Sequence, residues 1–153
     1  MNKFDFSKVS ISSHIHFIGV GGISMSALAS ILLKKGYKVT GSDTSDSKYI
    51  KALRNMGAGI FIGHAKENAI GSDVVVYSSA IKADNPERAY AEENNIPCIE
   101  RSVLLGSIEK MYKYPVDVAG THGKTSTTGM LSHIFIAADK NPTILIGGEL
   151  PVI

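Results

Sequence analysis

The chain has 153 residues, 44% hydrophobic and 20% charged, with 6 Tyr, 5 Phe and a formal net charge of +2. This composition excludes a disordered polar chain, and a small positive charge carried on scattered lysines excludes an electrostatic nucleic-acid partner. A single cysteine, Cys98, excludes an internal disulfide and a cysteine-rich metal site, and its apolar setting in IPCIE reads as a buried structural thiol. No apolar run reaches the roughly 20 residues of a membrane helix, and MNKFDFSKVS lacks the apolar centre of a secretory signal, so a cytoplasmic protein without membrane insertion is expected.

Residues 14–18, HIHFI, read as a strand, followed by a glycine turn and a helix in GVGGISMSALASILLKKG. Ile23, Ala27 and Ile31, with Leu28 and Leu32 beside them, recur at helical spacing, and Gly36 closes the helix. YKVTGSD is a second strand, residues 47–56 a helix, and GAGIFIGH a short third strand and loop. In DVVVYSSAI the continuous run Val74, Val75, Val76, Tyr77 suits a parallel strand covered on both faces. A helix over residues 86–93, a strand over 97–99 and a helix over 102–111 complete an alternation whose economical answer is a parallel α/β sheet with flanking helices. EKMYKYP reads as a linker. Beyond it VDVA, a helix from 124 to about 138 and PTILIGG read as one further βαβ unit, giving domains at 1–111 and 112–153.

Gly19, Gly21 and Gly22 stand between the first strand and the first helix, where a tight turn and the close approach of backbone N–H groups to a pyrophosphate both favour glycine. Asp43 ends the second strand at the distance of a ribose-binding acid. Ser24 stands where the dinucleotide fingerprint has its third glycine. The alternatives for this turn are a nucleotide or nucleotide-sugar site, a nicotinamide or flavin site, and a turn serving connectivity alone.

The second loop is GTHGKTS, residues 120–126. A loop of this type aims backbone N–H groups at phosphate oxygens, brings a lysine charge to the β and γ positions and offers a hydroxyl to Mg²⁺. The general motif wants glycine six positions before Lys124, where Val118 stands, so the match is to a shorter form starting at Gly120. Thr125, Ser126, Thr127 and Thr128 are poor helix formers, which favours a ligand-facing first turn over an ordinary crossover. His122 in this turn is either a ligand contact or merely exposed.

HIHFIGVGGISMSALA, GSD, VVYSSAI and VAGTHGKTSTTGML, in this order and spanning nearly the whole chain, resemble the ATP-dependent Mur ligases of peptidoglycan synthesis. Within that family the pattern GVGGISM is similar to the branch that joins L-alanine to UDP-N-acetylmuramate, rather than to ligases acting later or recycling murein tripeptide. The short phosphate loop is the family's usual form.

The resemblance implies a Rossmann-like domain for the UDP part of the substrate, followed by the first βαβ part of a P-loop ATPase domain. It implies that Gly19, Val20, Gly21 and Gly22 wrap the pyrophosphate, and that Asp43, His64, Ser78 and Ser79 line the uridine and phosphate cleft. Gly120, Thr121, His122, Gly123, Lys124, Thr125 and Ser126 would form the ATP loop, with Lys124 catalytic and Thr125 toward Mg²⁺. ATP would activate the muramoyl carboxylate as an acyl phosphate, which the alanine amine attacks. Family chains are roughly three times as long, so this chain is expected to bind the sugar nucleotide without ligating; a stand-alone UDP-sugar-binding module and a nicotinamide-dependent dehydrogenase are the rival readings.

Overall fold

The computed structural model describes residues 4–148. These fall into two compact units that divide between Lys113 and Tyr114, inside EKMYKYP. The first unit contains strands β1 (His14–Ile18), β2 (Lys38–Asp43), β3 (Gly59–Ile62), β4 (Val74–Tyr77) and β5 (Cys98–Glu100). Its helices are α1 (Ile23–Lys34), α2 (Lys48–Asn55), α3 (Pro86–Glu93) and α4 (Arg101–Glu109), with 3-10 turns at Phe6–Lys8 and Lys66–Ala69. The second unit contains helix α5 (Lys124–Ala137).

The five strands form one parallel sheet in the order β3-β2-β1-β4-β5. The chain winds outward from β1 in both directions, so the carboxyl ends of β1 and β4 bound the crevice where the winding reverses. All five residues of β1 are buried, as a central strand covered on both faces requires. On one face Ile18 packs with Val75, Ala69 and Ala91, and Tyr77, Ile81, Tyr90, Ile96 and Cys98 close around them. Alternation places Ile15, Phe17, Val74 and Val76, all buried, on the other face.

Local chemistry fixes several boundaries. The Asn85 side chain accepts from the N–H groups of Glu87 and Arg88, and Pro86 occupies the first helical position of α3. Ser47 caps α2 by accepting from Ile50 N–H at 3.3 Å. In α1 the buried side chains are Met25, Ser26, Leu28, Ala29 and Leu32, whereas Ile23 is 41% exposed. The expected stripe through Ile23, Ala27 and Ile31 is therefore not the buried one. The helix is apolar around most of its circumference, and periodicity alone does not choose its inner face.

The second unit departs from expectation. Neither VDVA nor PTILIGG forms a strand; among the described residues after Lys113, α5 is the sole regular element. A strand exists only by pairing its N–H and C=O groups with a neighbour, and these two segments join no ladder. Met130, Ile134 and Ile136 of α5 are 60, 62 and 40% exposed.

Cys98 is half-buried rather than buried, and that burial pushes its thiol up to about 11, with Arg88 pulling down and Glu92 adding to the rise. Because the folded state keeps the proton longer, this residue lowers stability only as pH rises from the ordinary thiol value of 9.0 toward about 11. The folded chain at pH 8 is expected to react with a disulfide reagent at least about tenfold more slowly than the urea-unfolded chain. Equal rates would contradict the burial of this thiol.

Candidate functional site at the strand carboxyl ends

The glycine turn is built by β2. The N–H groups of Gly19 and Val20 both donate to the Ser42 carbonyl, at 2.8 and 3.0 Å, and Gly21 N–H donates to Asp43 Oδ2 at 2.8 Å. Ser47 Oγ donates to the Gly21 carbonyl at 3.3 Å. Gly19 has φ +79°, the left-handed region that glycine enters without strain. Of the four residues expected to wrap the pyrophosphate, Gly19, Val20, Gly21 and Gly22, the first three have N–H groups that already have acceptors within the fold.

The donors that remain belong to the start of α1. Gly22 caps the helix without a side-chain bond, and the first intrahelical bond runs from Ser26 N–H to the Gly22 carbonyl at 2.9 Å. By helix geometry the N–H groups of Ile23, Ser24 and Met25 have no intrahelical acceptor, and together with the helix dipole they favour an anion. Arg101, the first residue of α4, reaches across to the same place, its Nη1 donating to Ser24 Oγ at 2.8 Å. Sequence reasoning missed Arg101. The available signal was its position directly after the last strand of a parallel sheet, where crossovers place ligand-facing residues.

Asp43, expected to line the uridine and phosphate cleft, also holds the turn: besides Gly21 N–H it accepts from Ser45 N–H at 3.4 Å. A Cβ on Gly21 would lie 2.8 Å from Asp43 Oδ2 and 3.1 Å from Ile50 Cδ1. Glycine is needed there first by Asp43 and α2, before any ligand is considered. Across the crevice, Ser78 is half-buried and Ser79 exposed just after β4. A Cβ on Gly19 would stand 3.8 Å from Ser78 Oγ, so these two strand ends meet.

Beneath the site lies a buried polar network centred on Glu87, which is wholly buried together with His16 and Ser42. Glu87 Oε2 accepts from Ser42 Oγ at 2.5 Å and lies 3.4 Å from His16 Nε2 and 3.5 Å from His64 Nδ1. Glu87 Oε1 accepts from Ala65 N–H at 3.2 Å and Asn68 Nδ2 at 2.7 Å. Burial alone would raise the Glu87 carboxyl, but the bonds from His16, Ser42 and Asn68 outweigh it and leave the group below its ordinary value. The network continues as His16 Nδ1 to Thr40 Oγ1 at 2.8 Å, His14 Nε2 to the same oxygen at 2.7 Å, and His14 Nδ1 to the Gly71 carbonyl at 2.9 Å. Burial lowers His14, partly offset by that carbonyl. His64, expected at the uridine cleft, thus sits at the outer edge of this network, its side chain 18% exposed.

In the second unit Gly120 and Gly123 adopt φ +156° and +79°, and Gly123 caps α5. Lys124 Nζ folds back to donate to the carbonyls of Gly120 at 2.5 Å and Thr121 at 3.4 Å. Thr121, His122, Gly123, Lys124, Thr125 and Ser126 are all exposed. The lysine and the left-handed glycine cap suit a phosphate. Among the described residues no three His, Cys, Asp or Glu side chains gather to hold a metal, and Thr125, expected toward Mg²⁺, offers a single exposed hydroxyl.

A parallel sheet wound outward from β1, with a glycine turn and an open helix start at the point of reversal, defines a Rossmann-like α/β unit. The model of the Mur ligase family, catalytic domain, matches residues 14–113. UDP-N-acetylmuramate–L-alanine ligases of Clostridium perfringens and Clostridium acetobutylicum are each 52% identical over 151 residues, covering 99% of this chain and 33% of theirs. Among solved structures, UDP-N-acetylmuramate-alanine ligase from Thermotoga maritima superposes with a TM-score of 0.86 at 34% identity, over 92% of this chain and 33% of that one. The UDP-N-acetylmuramate:L-alanyl-gamma-D-glutamyl-meso-diaminopimelate ligase from Neisseria meningitides gives 0.83 at 29% identity, over 93% of this chain and 45% of its own. The chain belongs to the Mur ligase family and spans about a third of the length of the curated relatives it matches.

Two neighbouring glycines separate packing from ligand approach. Gly21→Ala is expected to lower stability by about 1–3 kcal/mol through the clash with Asp43. Gly22→Ala meets nothing closer than the Gly19 carbonyl at 4.0 Å, at an ordinary φ of −75°, and is expected to stay within about 1 kcal/mol of the parent. Urea unfolding of the two variants tests this, and equal effects would contradict it.

Proposed function

We propose that the first unit binds the UDP moiety of UDP-N-acetylmuramate in a cytoplasmic ligase of peptidoglycan synthesis that joins L-alanine to this sugar nucleotide at the expense of ATP. The observation that carries the reading is the convergence at the α1 start: three helix-start amides, the Arg101 guanidinium and the Ser24 hydroxyl, at the reversal point of a parallel sheet. Backbone donors and a guanidinium suit a diphosphate, because both the helix dipole and Arg favour an anion there. Ser78 and Ser79 supply hydroxyls across the crevice, and His64, just beyond β3, meets the uridine. Asp43 acts by holding the turn.

The second unit begins the ATP-binding part. When bound, ATP supplies the phosphoryl group that activates the muramoyl carboxylate toward the alanine amine. Lys124 would leave the Gly120 and Thr121 carbonyls for the transferred group, where charge develops and a fixed cation stabilises it. Gly120, Thr121, His122, Gly123, Thr125 and Ser126 frame that position. No step is assigned to Mg²⁺ through residues of this chain. Choice of the amine is not a property of the first unit, and relatives using L-alanine and a tripeptide both resemble it.

Calorimetric titration of the 153-residue chain is expected to give saturable binding of UDP-N-acetylmuramate and none of Mg-ATP. Phosphate release dependent on both UDP-N-acetylmuramate and L-alanine is expected to be absent. Failure to bind the sugar nucleotide would overturn the reading of the first unit, and substrate-dependent phosphate release that of the second.

A further inference from the structure

Glu87 is remote in sequence from His64, yet it determines which nitrogen of that imidazole carries the proton. The carboxylate has only acceptors to offer. Ser42 Oγ therefore donates its single proton to Glu87 Oε2, at 2.5 Å, and can only accept from His64 Nδ1 at 3.0 Å. The other neighbour of Nδ1 is Glu87 Oε2 itself, at 3.5 Å, again an acceptor. A neutral His64 consequently carries its proton on Nδ1, and Nε2 keeps a lone pair. No protein group among the described residues bonds Nε2, and His64 stands just beyond the carboxyl end of β3, where its side chain is partly open to solvent.

We propose that Glu87 is a positioning residue: through Ser42 it fixes His64 in the Nδ1–H form, so that Nε2 accepts a hydrogen bond from a donor on the uridine moiety. This inference rests on the UDP-binding reading above. The donor is either the imide N–H of uracil or a ribose hydroxyl. An acceptor held in place discriminates strongly against a ligand that lacks the matching donor, because its own hydrogen bond is then lost.

Replacing Glu87 by Gln tests the relay, since the fold dictates how the amide must sit. Ala65 N–H and Asn68 Nδ2, the latter also donating to the Gly63 carbonyl at 3.1 Å, both point at the Oε1 position. The Gln carbonyl must therefore take that place, and its NH₂ must face Ser42, His64 and His16 Nε2, which lies 3.4 Å from the Oε2 position and must then accept rather than donate. The NH₂ then donates to Ser42 Oγ, the hydroxyl turns to donate to His64 Nδ1, and the imidazole proton moves to Nε2. A potential acceptor for the ligand becomes a donor.

The experiment is ¹⁵N NMR of the histidine side chains in the full chain at pH 8, alone and with UDP, CDP or 2′-deoxy-UDP. The parent is expected to show His64 protonated on Nδ1, with an Nε2 shift on adding UDP. Glu87→Gln should reverse the tautomer and weaken UDP binding about tenfold. Loss of the Nε2 response with CDP alone identifies the imide as donor, loss with 2′-deoxy-UDP alone the ribose 2′-hydroxyl, and a response kept with both the 3′-hydroxyl. Should the variant not fold, the parent measurement still decides: His64 protonated on Nε2 overturns the proposal, as does UDP binding that leaves His64 Nε2 unmoved while the amides of residues 23–25 respond. Absence of any response to UDP overturns the binding reading instead, while the tautomer still tests the role of Glu87.

Discussion

The site depends on the end of β2, and there on Ser42. Its backbone carbonyl accepts the N–H groups of both Gly19 and Val20, which sets the turn leaving β1. Its side chain, wholly buried, donates to Glu87 and lies 3.0 Å from His64 Nδ1. One residue thus ties the turn that aims α1 at the crevice to the network that holds the loop after β3. The next residue, Asp43, closes the same turn through Gly21 N–H. Sheet pairing of β1 with β2, in which Ile18 faces Ser42, brings these groups into register. Every one of these bonds is made by side chains and backbone of the first unit itself.

Glu87 gives this arrangement its rigidity. A wholly buried carboxylate persists only where donors surround it, and here they come from β1, β2, the loop after β3 and the turn that follows. Among the described residues no buried side-chain nitrogen or oxygen lacks a partner. A fully satisfied network in a low-dielectric interior specifies one geometry, because any slip of a strand leaves a charge or a backbone donor unpaired.

Much of the first unit was legible because its signals are local. The apolar run Val74 to Tyr77, the Asn85-Pro86 start of α3 and the glycines after β1 each declare an element without reference to the rest of the chain. The polar network was not legible. Nothing in PERAYAEE singles out Glu87, and only tertiary packing brings it to His16, 71 positions away in sequence. The same holds for Arg101 and Ser24, 77 positions apart. Gly21 was found from its place in the turn, whereas the neighbour that leaves no room for a Cβ there, Asp43, is visible only in the packing. In the second unit the loop and helix α5 follow from short-range signals, whereas a strand in VDVA or PTILIGG requires a partner strand that the sequence pattern of either segment does not supply.

The central claim is that the carboxyl ends of β1, β2 and β4 form one preorganised site for a nucleoside diphosphate. The most direct measurement is amide chemical-shift mapping of the ¹⁵N-labelled chain titrated with UDP-N-acetylmuramate. The account predicts one saturable set of shifts at residues 22–25, 64, 78–79 and 101, with residues 120–126 unmoved. Saturable shifts confined to residues 120–126, or none anywhere, would contradict it.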